Sequence, residues 1–250
     1  MHDGCHGWAQ RISPPVPDAC DCPRERPAAS MEGMNGNVIE VTGLTVRCGG
    51  TEVLREVSFA VAAGRVYAVL GRHGSGKTTL LEAVAGLRRP MSGRVRVRGA
   101  DPYESARDAP VAAVWSDGGL FPGLTPREIV DTWRRWTCDP LDRDEALRLV
   151  GLTGAADVPF ERLTAGQRRR LDLALALVGR SDVLLLDEPT SGLDEADRCA
   201  IWTVLRTLAA AGTTVLLATR DAAEAACADQ VGVLDEARLP VRRATGSMAA

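Results

Sequence analysis

The chain has 250 residues, 45% of them hydrophobic and 25% charged, with a formal net charge of −3 at pH 7. Such a composition buries a proper core and excludes wholesale disorder, and its charge gives no reason to expect nucleic acid or anionic lipid as the main partner. No apolar run approaches the roughly 18 residues that read as a membrane span and no signal-peptide pattern opens the chain, so any membrane role is expected to come through a partner.

Residues 1–37 are rich in Pro, Gly and Cys and lack periodicity, which predicts a disordered extension. His2, Cys5, His6, Cys20 and Cys22 fall there, but their spacing matches no zinc finger or ribbon. The 7 cysteines are odd in number, unevenly spaced and free of CxxC, as expected of reduced thiols in a cytosolic protein.

A regular pattern begins at Val38. "VIEVTGLTVR" and "TEVLREVSFAV" alternate like paired strands around the turn "CGG". "GRVYAVLG" reads as a short apolar strand entering a glycine-rich turn, followed by a helix "TTLLEAVAGL" closed at Gly86. "SGRVRVRG" predicts an edge strand and "VAAVW" a buried one; a mostly helical stretch spans about Pro126 to Val178. Strand "VLLLD", helix 195–211, strand "TTVLLAT", helix 221–227 and strand "QVGVL" complete the alternation, and residues 241–250 read as a flexible tail. Strands alternating with helices imply a parallel sheet with right-handed crossovers; no internal repeat is visible.

The chemistry is concentrated in "GRHGSGKT", which satisfies GxxxxGK[ST] at Gly71, Gly76, Lys77 and Thr78. Between a strand and a helix, this segment (Gly71, Arg72, His73, Gly74, Ser75, Gly76, Lys77, Thr78 and Thr79) curls so that successive backbone N–H groups face an anion. The helix adds its positive end. Lys77 is the sole lysine; every other basic residue is an arginine. A compact ammonium on a flexible stem fits the β/γ-phosphate cradle where a planar guanidinium does not. Thr78 supplies a hydroxyl to Mg²⁺. Downstream, "VLLLDEP" ends an apolar strand with Asp187, suited to hold Mg²⁺ through water, and Glu188, suited to orient or deprotonate an attacking water. These residues predict binding of Mg-ATP or another nucleoside triphosphate, with Lys77 and Glu188 as catalytic groups.

The segment "LTAGQRRRLDLALALVGRSDVLLLDEPTSGLD", with "LFPGLTPREIV" and "TTVLLATRDAAEAACADQVGVL", resembles the ATP-binding subunit of ABC transporters over about residues 38–235, and its spacing is closest to exporter-type subunits. The resemblance implies an α/β fold, a P-loop NTPase with a RecA-like parallel sheet core. It adds an N-terminal antiparallel β subdomain and a helical subdomain over about residues 120–178, all within a 38–240 ATPase domain. It implies a dimer with a second ATPase cassette, homo- or heterodimeric, in which Thr164, Ala165, Gly166 and Gln167 act in trans and the D-loop residues Ser191, Gly192, Leu193 and Asp194 cross the interface. It further implies a membrane-spanning transporter subunit as partner, a peripheral place on the cytoplasmic face of the membrane, and no nucleic-acid partner.

Four positions depart from the family pattern. Cys48 stands where an aromatic ring stacks on adenine, a loss worth about 1–3 kcal/mol. Ser116 stands where a glutamine senses Mg²⁺, and needs a bridging water to reach as far. The signature reads LTAGQ, so Ala165 restricts a backbone that glycine leaves free. Arg220 stands at the switch histidine; it only donates, whereas histidine donates and accepts. It is expected either to grip a γ-phosphate or to pair at the surface with Asp221 or Glu224. Trp133 and Trp136 share a helix face, read as core packing ahead of a docking groove. Arg168, Arg169 and Arg170 are read as a solvated or phosphate-facing run.

The leading expectation is an ATP-hydrolysing subunit driving a separate exporter. The alternatives are a catalytically impaired subunit paired with an intact cassette, or a soluble ABC protein outside transport.

Overall fold

The computed structural model describes residues 36–104, 111–235 and 237–239, and the backbone of 241–242. The segment with His2, Cys5, His6, Cys20 and Cys22 and residues 243–250 lie outside the described residues. The chain divides into two compact units: residues 117–180 in one, and 32–116 with 181–250 in the other.

The larger unit opens with β1 (Asn37–Cys48), β2 (Thr51–Ala62), β3 (Val66–Leu70), α1 (Lys77–Val84), β4 (Ser92–Val97) and β5 (Ala112–Val114). The smaller unit holds α2 (Pro126–Arg135), α3 (Arg143–Leu149) and α4 (Ala165–Val178). The larger unit then resumes with β6 (Val183–Asp187), α5 (Glu195–Ala210), β7 (Thr214–Thr219), α6 (Ala222–Ala226), β8 (Gln230–Val233) and β9 (Val241–Arg242).

Two sheets build the larger unit. One is antiparallel, in the order β2-β1-β4, with β1 and β2 joined through Gly49 and Gly50 at positive φ. The other runs β5-β6-β7-β3-β8-β9, parallel from β5 through β8. β6 and β7 are buried at every residue and β3 at all but Leu70. That is what uninterrupted apolar runs become in a parallel sheet covered on both faces. Ile39, Leu44 and Val61 from the antiparallel sheet share one core with Leu80, Leu81, Leu185 and Leu216.

Two expectations need correction here. "VAAVW" is not a fully buried strand: among the described residues β5 pairs only with β6, at the sheet edge, and Ala112 and Ala113 are half-buried. A short apolar run looks alike in the centre and at the edge, because periodicity does not report neighbours. Val241 and Arg242, within the stretch read as a tail, form β9, antiparallel to β8.

In the smaller unit, Thr125 and Glu128 form a reciprocal capping box at α2, with Pro126 at the first helical position. Asp142 caps α3 through the N–H groups of Asp144 and Glu145. Phe121 and Phe160 meet edge to face at 5.6 Å. The three consecutive arginines of α4 point about 100° apart and meet different fates. Arg168 lies 4.8 Å over the Phe160 ring and donates to the Glu161 carbonyl. Arg169 is buried, 3.9 Å from Asp172, and Arg170 donates to the Gly151 carbonyl. They are therefore not one solvated run. Nor is the Trp pair core packing: the rings are 5.9 Å apart, Trp133 is half-buried, and Trp136 is 52% exposed. Trp136 is the C-cap of α2, one step past the helix whose buried face ends with Ile129 and Val130.

Candidate nucleotide-binding site

The C-terminal ends of β3, β7 and β6 lie side by side, and each leads into a loop bearing a chemically distinctive group. Ligands of open α/β sheets bind in the crevice beyond such strand ends. β3 runs into the loop 71–76, whose start is held by the Gly71 N–H to the Thr219 carbonyl at 3.1 Å. Two glycines are dictated by space. A Cβ on Gly71 would sit 2.5 Å from Ser75 Oγ and 2.8 Å from the Leu234 carbonyl oxygen. A Cβ on Gly76, at φ +99°, would sit 2.8 Å from the Val53 carbonyl oxygen of β2.

Gly76 is the N-cap of α1; among the described residues no side chain caps that helix, and no acidic residue occupies its first turn. Its leading N–H groups and positive end are thus left for an anion, which is the fit a phosphate requires. Lys77 is 6% exposed. Its Nζ donates to the carbonyls of Gly71 and Arg72 at 2.9 Å each and lies 3.5 Å from Glu188 Oε1. The three donors of the ammonium are therefore folded onto its own loop and one carboxylate. Arg72, His73 and Gly74 form the exposed crest of the loop, Ser75 and Thr79 are half-buried, and Thr78 is exposed.

At the end of β6, Thr78 Oγ1 donates to Asp187 Oδ2 at 2.8 Å, and Asp187 is 2% exposed. A hydroxyl and a carboxylate in contact beside a phosphate loop suit Mg²⁺, which takes few protein ligands and keeps waters and phosphate oxygens. Glu188 follows in the left-handed region, φ +49°. That conformation costs about 1–2 kcal/mol in a non-glycine residue. The Glu188 N–H donates to the Ala218 carbonyl at 2.8 Å, and its carbonyl accepts from Ser191 at 3.2 Å. Strain of this kind clusters at functional turns.

Arg220, at the end of β7, faces Glu188. Its Nε is 3.3 Å from Glu188 Oε1, its backbone N–H donates to Oε2 at 3.3 Å, and its guanidinium donates to Ser191 Oγ at 3.2 Å. The expected surface partners are otherwise engaged. Asp221 pairs with Arg198 at 2.5 Å, while Glu224 accepts from Thr219 Oγ1 at 2.5 Å. Glu224 is 3% exposed, and burial pushes its carboxyl above the usual range against the pull of the Thr219 and Thr190 hydroxyls. It underlies the turn that carries Arg220, and nothing in the local sequence marks it beyond an acidic residue in a short helix.

Cys48 closes β1, half-buried, with Arg88 Nη1 3.4 Å from its sulfur and Arg88 Nε 2.7 Å from Glu82. Arg88 was not singled out by sequence, since it lies 40 residues away in the chain. Ser116 is exposed just beyond β5. Asp194 N-caps α5 through the Asp197 N–H at 2.8 Å, and Gly192 has φ +75°. Leu193 donates its N–H to the Thr190 carbonyl at 3.2 Å.

Thr164, Ala165, Gly166 and Gln167 belong to the smaller unit, where they start α4. Thr164 Oγ1 accepts from the Gln167 N–H at 3.1 Å, and Gln167 Oε1 accepts from the Thr164 N–H at 2.9 Å. Ala165 lies in the first turn of α4, a helical position at which alanine is a better former than glycine.

A strand–glycine loop–helix with an inward lysine, in one parallel sheet with a strand that leads into two carboxylates, defines a P-loop nucleotide site. Residues 54–191 match the family described as ABC transporter. The chain belongs to that family. It is 36% identical over 226 residues to the daunorubicin/doxorubicin resistance ATP-binding protein DrrA of Streptomyces peucetius, covering 84% of this chain and 66% of that protein. It is 38% identical over 186 residues to the cytochrome c biogenesis ATP-binding export protein CcmA of Rhodopseudomonas palustris, covering 72% of this chain and 90% of that one. Among solved structures it is similar to CbiO1 of Clostridium perfringens, described as part of the ABC transporter complex CbiONQ. The TM-score is 0.75 at 28% identity, covering 83% of this chain and 88% of that one. Among the described residues no helix is long and apolar enough to cross a membrane.

Proposed function

We propose that this chain is the ATP-binding subunit of an exporter-type ABC transporter, binding Mg-ATP on Gly71–Thr79 and hydrolysing it with Glu188. The observation that carries the reading is the convergence of Lys77 and Thr78, at the start of α1 after β3, with Asp187 and Glu188 at the end of β6. Lys77 offers a buried positive charge to the β/γ-phosphates, and Thr78 with Asp187 holds Mg²⁺, which supplies charge neutralisation there. Glu188 orients the attacking water. Thr164 to Gln167 and Ser191 to Asp194 act across a dimer of cassettes, and a separate membrane subunit selects the cargo. The names of the export and resistance proteins it resembles support the exporter assignment.

The test is Mg-ATP binding and phosphate release by the purified chain beside Glu188→Gln. Binding retained with turnover abolished supports the reading; a chain that binds no Mg-ATP overturns it. The Glu188–Arg220 pair favours a second reading, a slow subunit working beside an intact cassette. Reconstitution with a second, sequence-distinct cassette distinguishes the two.

A further inference from the structure

Resting on the reading of Glu188 as the water-orienting carboxylate, we infer that Arg220 restrains Glu188, so that release from Arg220 limits hydrolysis. Arg220 is then a positioning residue that acts through Glu188, and not a ligand of the γ-phosphate.

Three observations carry this. Both carboxylate oxygens of Glu188 are engaged: Oε1 by Lys77 Nζ at 3.5 Å and Arg220 Nε at 3.3 Å, and Oε2 by the Arg220 N–H at 3.3 Å. A carboxylate that takes a proton from water needs an oxygen turned to that water. Next, the two cations are not equivalent. Lys77 belongs to the phosphate loop, and phosphate oxygens compete directly for its ammonium. Arg220 belongs to the turn after β7, outside that loop, and on this inference its grip on Glu188 persists when nucleotide binds. Finally, Arg220 is anchored twice, because its guanidinium also donates to Ser191 Oγ at 3.2 Å. A planar fork of donors holds both acceptors at once.

The remaining charges around this turn do not draw Arg220 elsewhere. Asp221 is taken by Arg198, and the Glu224 carboxyl is buried against Thr219. Ser191 lies in the segment leading to α5, so movement of that segment is the natural way to loosen the guanidinium. Hydrolysis would then follow the position of Ser191 as well as nucleotide occupancy.

The experiment compares the full chain with Arg220→Gln, Glu188→Gln and the double variant. It measures kcat and KM for Mg-ATP and equilibrium affinities for Mg-ATP and Mg-ADP. Arg220 is half exposed, so its replacement leaves the core untouched. The expected result is a kcat raised about two- to fivefold by Arg220→Gln, the range that loss of one exposed ion pair implies. KM and both affinities should hold within about twofold, and the gain should vanish in the Glu188→Gln background. An unchanged or lower kcat overturns the inference. So does a selective loss of Mg-ATP over Mg-ADP affinity, which would make Arg220 a γ-phosphate ligand. A parent chain that binds no Mg-ATP overturns the nucleotide reading itself, and this inference with it.

Discussion

Thr78 donates a 2.8 Å hydrogen bond to Asp187, tying the first turn of α1 to the last residue of β6. With Asp187 almost fully buried, this contact joins two parts of the site that are 109 residues apart in the chain. Asp187→Asn keeps an acceptor for Thr78 and removes the charge a divalent ion needs. The expected outcome is near-loss of the Mg²⁺ enhancement of ATP binding, with Mg-free binding little changed. Titrations with Mg²⁺ and with EDTA check it; an undiminished Mg²⁺ effect would move the metal elsewhere.

Lys77 carries a second prediction. Its ammonium is confined between two carbonyls at 2.9 Å and a carboxylate at 3.5 Å, with 6% of the residue exposed. Lys77→Arg keeps the charge but enlarges the group in a packed loop, a change that costs about 1–3 kcal/mol where space is lacking. If that cost falls on the bound state, ATP affinity, read by calorimetry, should fall by about five- to 140-fold at 1.4 kcal/mol per tenfold. A variant that binds as the parent does would show that size is not what the site selects.

The start of α4 gives a third. Thr164→Ala removes a reciprocal cap and should cost about 1 kcal/mol of stability, while Thr164→Ser should be close to neutral. Ala165→Gly should gain no stability and lose up to about 1 kcal/mol, because the position is helical. Thermal unfolding of the three variants settles the order.

Asp172 supplies the pH dependence. Burial pushes its carboxyl up to about 6, against the opposing pull of Arg169 and the Gly119 N–H. A carboxyl raised in the folded state binds its proton more tightly there than in the unfolded chain. Its contribution to stability is therefore most favourable in acid and declines as pH rises from about 4 through about 6, by at most about 3 kcal/mol. Asp172→Asn, which still accepts from Gly119, should remove that decline. Unfolding midpoints at pH 5 and 7.5 for both proteins test it, and parallel pH profiles would contradict it.

How much of this was legible in sequence depended on how local each cause is. The phosphate loop and β3, β6 and β7 could be read directly, because a glycine cluster after an all-apolar run leaves few structural alternatives. Asp187 and Glu188 were legible because they end such a run. The place of β5 was not, since a strand's neighbours are chosen by the rest of the sheet. Arg169 was misread because charge alone suggests solvent, whereas position on α4 turns it inward. Arg220 was recognised as unusual, but of its two expected roles the surface pairing fails: its neighbours in sequence are engaged with Arg198 and Thr219, and the carboxylate it meets comes from another strand end. Arg88 beside Cys48 is likewise a contact between distant segments, invisible to any local pattern.

The two residues of β9 have a practical meaning for anyone shortening this chain. Val241 and Arg242 pair with Gly232 and Val231, covering the outer side of β8. A protein ended at 239 would present that backbone ladder unpaired, and open strand edges recruit other chains. Truncation should therefore show first as self-association during purification, with the nucleotide site unaltered in sequence, and a fusion attached beyond residue 242 should avoid it.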